Sequence, residues 1–287
     1  MMKKIFFFCF LISLSLLTGC VKNNPDPSWI EINGFTVQSN PQLSGSEGDL
    51  SRNALTNGWV YINDKFIGIF ELPCKIPVMV QGQSAIRVYP TILNNGISLT
   101  KKQYPFLEAY ETIVDLKQNE TVVIAPTTKY LAGTKFWVED FEGSTQKLTQ
   151  GNGSQTNYLV QLENGNRYGR VLLTPSESYW AMYTDEEDPF SFPIGSSVYL
   201  EAEFYCTSKV ITSVLAGKLD GTITEHVNVS MLPSNSETVV WKKIYIDLTD
   251  VVKGSGGYKF WQAFSSQLPE GSSQSLIYLD NIKVVYR

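Results

Sequence analysis

The sequence predicts an all-β protein, an N-terminal small β-sandwich followed by a C-terminal β-sandwich jelly roll. Three observations predict it. Polar and apolar residues alternate over short runs, of which Val198 to Cys206 is the clearest, and that period of two belongs to strands. Turn signals interrupt the runs at short intervals, among them Asn33-Gly34, Asn57-Gly58, Asn63-Asp64 and Asn94-Asn95-Gly96. Helical period is absent over any useful length, and Asp247 to Val252 supports one helical turn at most. Many short strands with Gly-rich and Ser-rich turns make a sandwich or a jelly roll.

In chain order, the first element is an export signal. Lys3 and Lys4 precede an apolar run from Ile5 to Leu17, and small residues stand before a possible cleavage point. The run is shorter than the roughly 20 apolar residues that a membrane span needs. Its ending, Leu17-Thr18-Gly19-Cys20, resembles the lipobox of bacterial lipoproteins. That resemblance implies removal of residues 1–19, a covalent lipid on the Cys20 thiol and anchorage in the outer membrane. An ordinary signal peptide with an incidental cysteine is the alternative. Residues 20–28 are polar, carry Pro25 and Pro27, and read as an extended tether. Surface lipoproteins of Bacteroidota carry a lysine and acids after the lipidated cysteine. Lys22 fits that pattern and Asn23 and Asn24 depart from it, so the periplasmic and the cell-surface face both stay open.

Composition removes whole classes of function. The net charge is -5 and no basic stretch follows the signal, which argues against nucleic acid as a partner. Once Cys9 leaves and Cys20 carries lipid, Cys74 and Cys206 remain, far apart and with apolar flanks; they read as buried free thiols. With His226 the only histidine and no Cys-x-x-Cys spacing, a His-rich zinc site cannot be built, and the sequence argues against transition-metal chemistry.

Residues 29–126 form the first unit. Gly58 to Gly68 reads as two strands about an Asn63-Asp64 turn, and Gly82 leads another strand through Tyr89. The stretch from Ser44 to Asn53 reads as a loop. The succession of strand, tight turn, glycine and later Gly-led strand resembles PEGA-like and carboxypeptidase-regulatory-like modules of envelope proteins, which implies a spacer domain.

A polar join near 127–134 leads into the second unit, 134–287. Val198, Leu200, Ala202, Phe204 and Cys206 are expected to face the core, leaving Tyr199, Glu201, Glu203 and Tyr205 outside. In the strand from Ile223 to Met231 the expected inner set is Ile223, Val227, Val229 and Met231, with Glu225 as the one charge among them. Thr224, His226, Asn228 and Ser230 are expected outside. Three segments, Glu139-Asp140-Phe141-Glu142-Gly143, Trp241 to Leu248 and Ile277 to Val284, resemble in order and spacing the galactose-binding-like jelly rolls that include many carbohydrate-binding modules. The resemblance implies that first and last strands lie side by side and that Glu142 and Asp280 hold a structural calcium ion. A hard cation takes six to eight oxygens, and two carboxylates offset much of its charge. The acidic run Asp185 to Asp188 reads as a solvated loop, with a second calcium position as the minor alternative.

The expected ligand platform is Tyr199, Glu201, Glu203 and Tyr205 with Trp261, walled by Trp180 and Tyr183. Aromatic faces stack on the C–H faces of a sugar ring, and carboxylates accept from its hydroxyls. A plain solvent-facing sheet, rich in tyrosine through strand propensity alone, is the competing reading. Glu201 and Glu203 stand roughly 6 to 7 Å apart by strand rise, inside the span glycosidases use, yet nothing in the sequence marks a cleft that would desolvate one of them. His226 lacks a Gly-x-Ser-x-Gly elbow. The expectation is therefore a non-catalytic envelope lipoprotein that binds polysaccharide, with an assembly role through an envelope protein partner as the alternative and a glycoside hydrolase as the least favoured.

Overall fold

The computed structural model describes residues 26–287, apart from Glu186, Ile194, Asn235 and Glu237. Cys20, the signal segment and most of the tether lie outside the described residues, in which no helix is long and apolar enough to cross a membrane.

The first half contains β1 (Ser28–Ile32), β2 (Thr36–Gln38), β3 (Asn57–Ile62), β4 (Lys65–Glu71), β5 (Cys74–Val78), β6 (Gly82–Leu93), β7 (Lys101–Gln103), β8 (Tyr110–Leu116), β9 (Thr121–Ile124) and β10 (Thr127–Lys129). A sheet ordered β4-β3-β6-β7, with β8 on the free stretch of β6, packs near a three-stranded sheet β5-β1-β9 and the small pair β10-β2. The β3–β4 hairpin turns at Asn63 and Asp64, both at positive φ (49° and 61°), a backbone that Asn and Asp tolerate better than most residues. Pairing of β10 with β2 carries the first unit past residue 126 to Lys129.

The second half contains β11 (Lys135–Glu139), β12 (Leu148–Gln150), β13 (Leu159–Glu163), β14 (Asn166–Leu173), β15 (Tyr179–Thr184), β16 (Val198–Cys206), β17 (Val210–Gly217), β18 (Ile223–Met231), β19 (Lys242–Asp247), β20 (Lys259–Gln267) and β21 (Ser275–Tyr286). One short helix, α1 (Thr249–Gly254), lies two residues beyond the expected turn. Two sheets form the sandwich. One runs β13-β14-β21-β16-β19, with β11 on the far half of β21; the other runs β12-β15-β20-β17-β18. First and last strands pair antiparallel, Lys135 opposite Tyr286 through Glu139 opposite Ile282. Between the sheets lies one core, to which Val198, Leu200, Ala202, Phe204 and Cys206 all contribute as the alternation requires.

The other face of β16 departs from expectation. Tyr199, Glu201, Glu203 and Tyr205 are as buried as the core set, because the first unit covers this sheet. Tyr199, Tyr245 and Val285 of the jelly roll join one apolar cluster with Ile92, Tyr104, Phe106 and Tyr130 of the first unit. Tyr199 meets Tyr104 and Phe106 edge-on, at centroid distances of 5.4 and 5.8 Å. Tyr205 packs on Tyr278 within the jelly roll's own sheet face, at 5.4 Å.

Candidate functional site

The expected platform divides between two faces of the sandwich that never meet. Tyr199, Glu201, Glu203 and Tyr205 stand on the covered sheet, whereas Trp180, Tyr183 and Trp261 belong to the opposite one. Each group has its own physics.

Glu201 is the centre of the covered group. The hydroxyls of Tyr104 and Tyr130, both from the first unit, each donate to its Oε1 at 2.6 Å, and Lys243 Nζ lies 3.1 Å from Oε2. Burial pushes its pKa up, but the Lys243 and Lys283 charges and the two phenols outweigh it and hold the carboxyl below its ordinary value. Lys243 is also buried, and its two glutamates overcome desolvation to hold its pKa above the usual lysine value. Glu203 pairs with Arg52 at 3.0 Å and accepts from Asn281 Nδ2 at 3.0 Å. Lys283 Nζ donates to the Asp49 carbonyl at 2.8 Å; burial and the neighbouring Lys243 bring its pKa down to about 8. No sugar reaches these carboxylates, nor does a substrate needed for hydrolysis. The platform reading of Tyr199, Glu201, Glu203 and Tyr205 is corrected: the hydrogen bonds and ring contacts of the first three join the two units, and Tyr205 is buried against Tyr278.

Trp180 is likewise corrected, since it is fully buried in the sandwich core. In Tyr179-Trp180-Ala181-Met182-Tyr183 the apolar pair Trp180 and Met182 faces inward, so the outward set is Tyr179, Ala181 and Tyr183. Register then assembles the outer face of this sheet strand by strand. Tyr183 lies opposite Ala263, and Ala181 opposite Ser265. Trp261 lies opposite Leu215, and Ala263 opposite Ser213. Glu225 lies opposite Leu215, and Val227 opposite Ser213.

Small residues at Ala181, Ala263, Ser213 and Ser265 lower the middle of this face, and larger ones bound it. The result is a groove of about 360 Å³ lined by Tyr179, Tyr183, Leu215, Glu225 and Trp261, with Asn152 at its wall, within the size range of small-ligand sites. The wall is held by local hydrogen bonds: Gln155 Oε1 accepts from the backbone of Ser178 and Tyr179 at 2.7 and 3.0 Å, and Ser154 Oγ accepts from Ala181 N at 2.9 Å. Gly217 leaves room for the Trp261 ring, to which a Cβ there would come as close as 3.2 Å. The ring rests on bare backbone there, and Trp261 is only 8% exposed overall.

The far rim overturns the expected facing of β18. Ile223 and Val227 point out, 60% and 64% exposed, and Glu225 points out with them, while Thr224, His226 and Asn228 are turned partly inward. The cause is a bulge: Asn228 and Val229 together face Thr212 where the register shifts, and the Thr212 hydroxyl donates to the Val229 carbonyl at 2.7 Å. Past the bulge the phase is restored, and Met231 is buried as expected. Sequence reasoning therefore missed Tyr179, Glu225, Ile223 and Val227. The Tyr179 signal was available in the Trp180/Met182 parity, whereas no local signal announced the bulge.

Chemically the groove offers aromatic surface at Tyr179, Tyr183 and Trp261, exposed aliphatic rim and one carboxylate. Aromatic faces of this kind stack on sugar C–H surfaces, and exposed aliphatic groups clustered beside them mark an interaction surface. A larger hollow of about 460 Å³ lies at the seam between the units, lined by Leu93, Ile97, Phe204 and Ile244. Its lysines are turned to other partners, Lys242 to the carbonyls of Leu232 and Pro233 and Lys243 to the buried glutamates.

The two residues implied for calcium, Glu142 and Asp280, are each engaged with N–H donors of the chain. Asp280 is buried, accepts from Asn166 Nδ2 at 2.9 Å and from Asn281 N at 2.7 Å, and has its pKa pushed up to about 6 by burial. Glu142 is exposed and accepts from Arg167 N at 2.8 Å. Both carboxylates thus accept from N–H donors. Among the described residues no three acidic, histidine or cysteine side chains converge on a metal position; Glu186 of the Asp185 to Asp188 run lies outside the described residues.

No family model and no curated protein matches the chain. Solved structures do. A family 29 carbohydrate-binding module is 11% identical, covers 53% of this chain and 88% of its own, and has a TM-score of 0.34. A carbohydrate-binding module of the β-sandwich superfamily, described for promiscuous specificity, is 14% identical over 79% of this chain and 83% of its own, with a TM-score of 0.38. A Clostridium thermocellum xylanase 10B structure with a family 22 module, complexed with xylohexaose, is 11% identical over 52% of this chain and 28% of its own, at 0.37. Scores this low say nothing about what this chain binds.

Proposed function

We propose that this protein is a non-catalytic lipoprotein of the bacterial outer membrane that captures polysaccharide in the groove across β15, β20, β17 and β18. The observation that carries the reading is the groove itself: Tyr179, Tyr183 and Trp261 on one face with the exposed Ile223 at its rim. Binding through ring stacking and hydroxyl contacts needs no catalytic pair, and the two acids whose spacing would permit hydrolysis are engaged with Tyr104, Tyr130, Lys243 and Arg52.

The first test is binding of the full chain to a broad glycan array and to polysaccharides in affinity gels. Trp261→Ala is expected to weaken binding at least tenfold, since a large aromatic lining a ligand site is the kind of residue that dominates affinity. A circular dichroism melt separates this from a folding defect, and Tyr183→Ala gives a second, milder truncation at the wall. An array without a hit retires the glycan reading and leaves an envelope protein as the partner to seek by crosslinking.

Anchorage rests on the Leu17-Thr18-Gly19-Cys20 motif. A lipid on Cys20, with more than one acyl chain for stable attachment, would hold captured polymer close to neighbouring membrane proteins at raised effective concentration. Metabolic labelling with a fatty-acid analogue is expected to mark the wild-type chain and not Cys20→Ser. Equal labelling of both would remove the anchor. Protease shaving of intact cells then reports the periplasmic or the outward face.

A further inference from the structure

We infer that the groove takes an electrically neutral polysaccharide, not one bearing uronate or sulfate; this rests on the glycan reading of the groove given above. Charge carries the inference. Among the residues lining the groove, Glu225 is the one charged side chain, and neither lysine nor arginine is present. A site built for an acidic polymer places cations on it, because desolvated carboxylates and sulfates need charge-assisted donors.

Glu225 makes no hydrogen bond or ion pair among the described residues, although its cross-strand neighbour Leu215 lies beside Trp261. Its oxygens are acceptors only at neutral pH. They suit the hydroxyls of a neutral sugar and repel a carboxylate set against the same aromatic wall. The nearest cation in sequence on this face is Lys259, two residues along β20 from Trp261. It stands at the end of the strand over the Tyr258 ring, 5.7 Å from the centroid, outside the lining set. At physiological salt, charge is felt over about 8 Å, so the discrimination is set by the sugar unit that touches Glu225.

The bulge in β18 is what brings this carboxylate to the groove. Without the phase shift at Asn228 and Val229, a strand with Val229 and Met231 in the core would turn Glu225 inward as well. Charge selection in the groove therefore depends on one irregularity in an edge strand.

The test is titration calorimetry and affinity electrophoresis on the full chain. The probes are soluble neutral glucans, xylan and mannan on one side, and polygalacturonate and alginate on the other. At least one neutral polymer is expected to bind at least tenfold more tightly than either acidic one, with a gap that narrows as salt is raised. Glu225→Lys is expected to raise the acidic-to-neutral affinity ratio tenfold or more. An acidic polymer bound by the wild type as tightly as the best neutral one, with no gain in Glu225→Lys, overturns the inference and leaves the glycan reading standing. Failure of every polymer to bind defeats the glycan reading, and this inference with it.

Discussion

Glu201→Leu is expected to lower the stability of the full chain by about 3–5 kcal/mol, the usual loss when one partner of a buried ion pair is removed. The wild-type carboxylate accepts two phenol hydroxyls at 2.6 Å and faces Lys243 at 3.1 Å. Leucine leaves the Lys243 ammonium buried with only Glu203, at 3.8 Å, as its counter-charge. It also strands the hydroxyls of Tyr104 and Tyr130 away from water, an unsatisfied state that costs more than the bonds themselves contribute. In melting terms the shift is on the order of 10 °C for a chain of this size. Urea titration with a tryptophan fluorescence readout checks the value. The double substitution Glu201→Leu with Lys243→Met should recover part of the loss, since it empties the site of charge instead of unbalancing it. A single substitution costing less than about 1 kcal/mol would mean that the cluster is hydrated and that the two units are not joined through it.

The second large effect concerns the jelly roll alone. A fragment covering 134–287 is expected to self-associate and to melt well below the full chain, because removing the first unit uncovers Tyr199, Tyr245 and Val285 together. Each large apolar side chain returned to water forfeits roughly 1.5–3 kcal/mol. Loop contacts go as well, including the carbonyl of Asp49 that receives Lys283 and Asn281, and Asn95, which bonds the backbone of Asp247 at 2.9 Å. Sedimentation velocity and dye binding to exposed apolar surface measure both consequences. A monomeric fragment with the melting temperature of the intact protein would show that the first unit is only a spacer. The join also decides how glycan binding should be assayed, since a loss of affinity in the fragment reports its folding as much as its groove.

Much of the architecture is legible in the sequence, and the residues say why. Asn63-Asp64 favours the left-handed backbone that its hairpin needs, and the alternation of Val198 to Cys206 names one face of β16 as core. Both signals are local, written within a few positions of where they act. The site was harder to read. Tyr183 and Trp261 do line one groove, but Trp180 was read by its chemistry where its parity with Met182 was the better guide. Glu225 was assigned by counting along β18, and counting fails across a bulge.

By itself the sequence determined the all-β class, the positions of most strands and which residues share a face, because a period of two and the turn residues are properties of the chain's own neighbours. What lies beyond each face was decided only in three dimensions. Tyr199, Glu201, Glu203 and Tyr205 have the alternation of an exposed surface, and three of the four became buried contacts with the first unit or its loops. Ile223 and Val227 have the alternation of a core, and became exposed, Ile223 at the rim of a groove. The physical reason is the same in both cases: strand geometry dictates that neighbours point opposite ways, while water, a second sheet or another domain on either side is a matter of long-range packing.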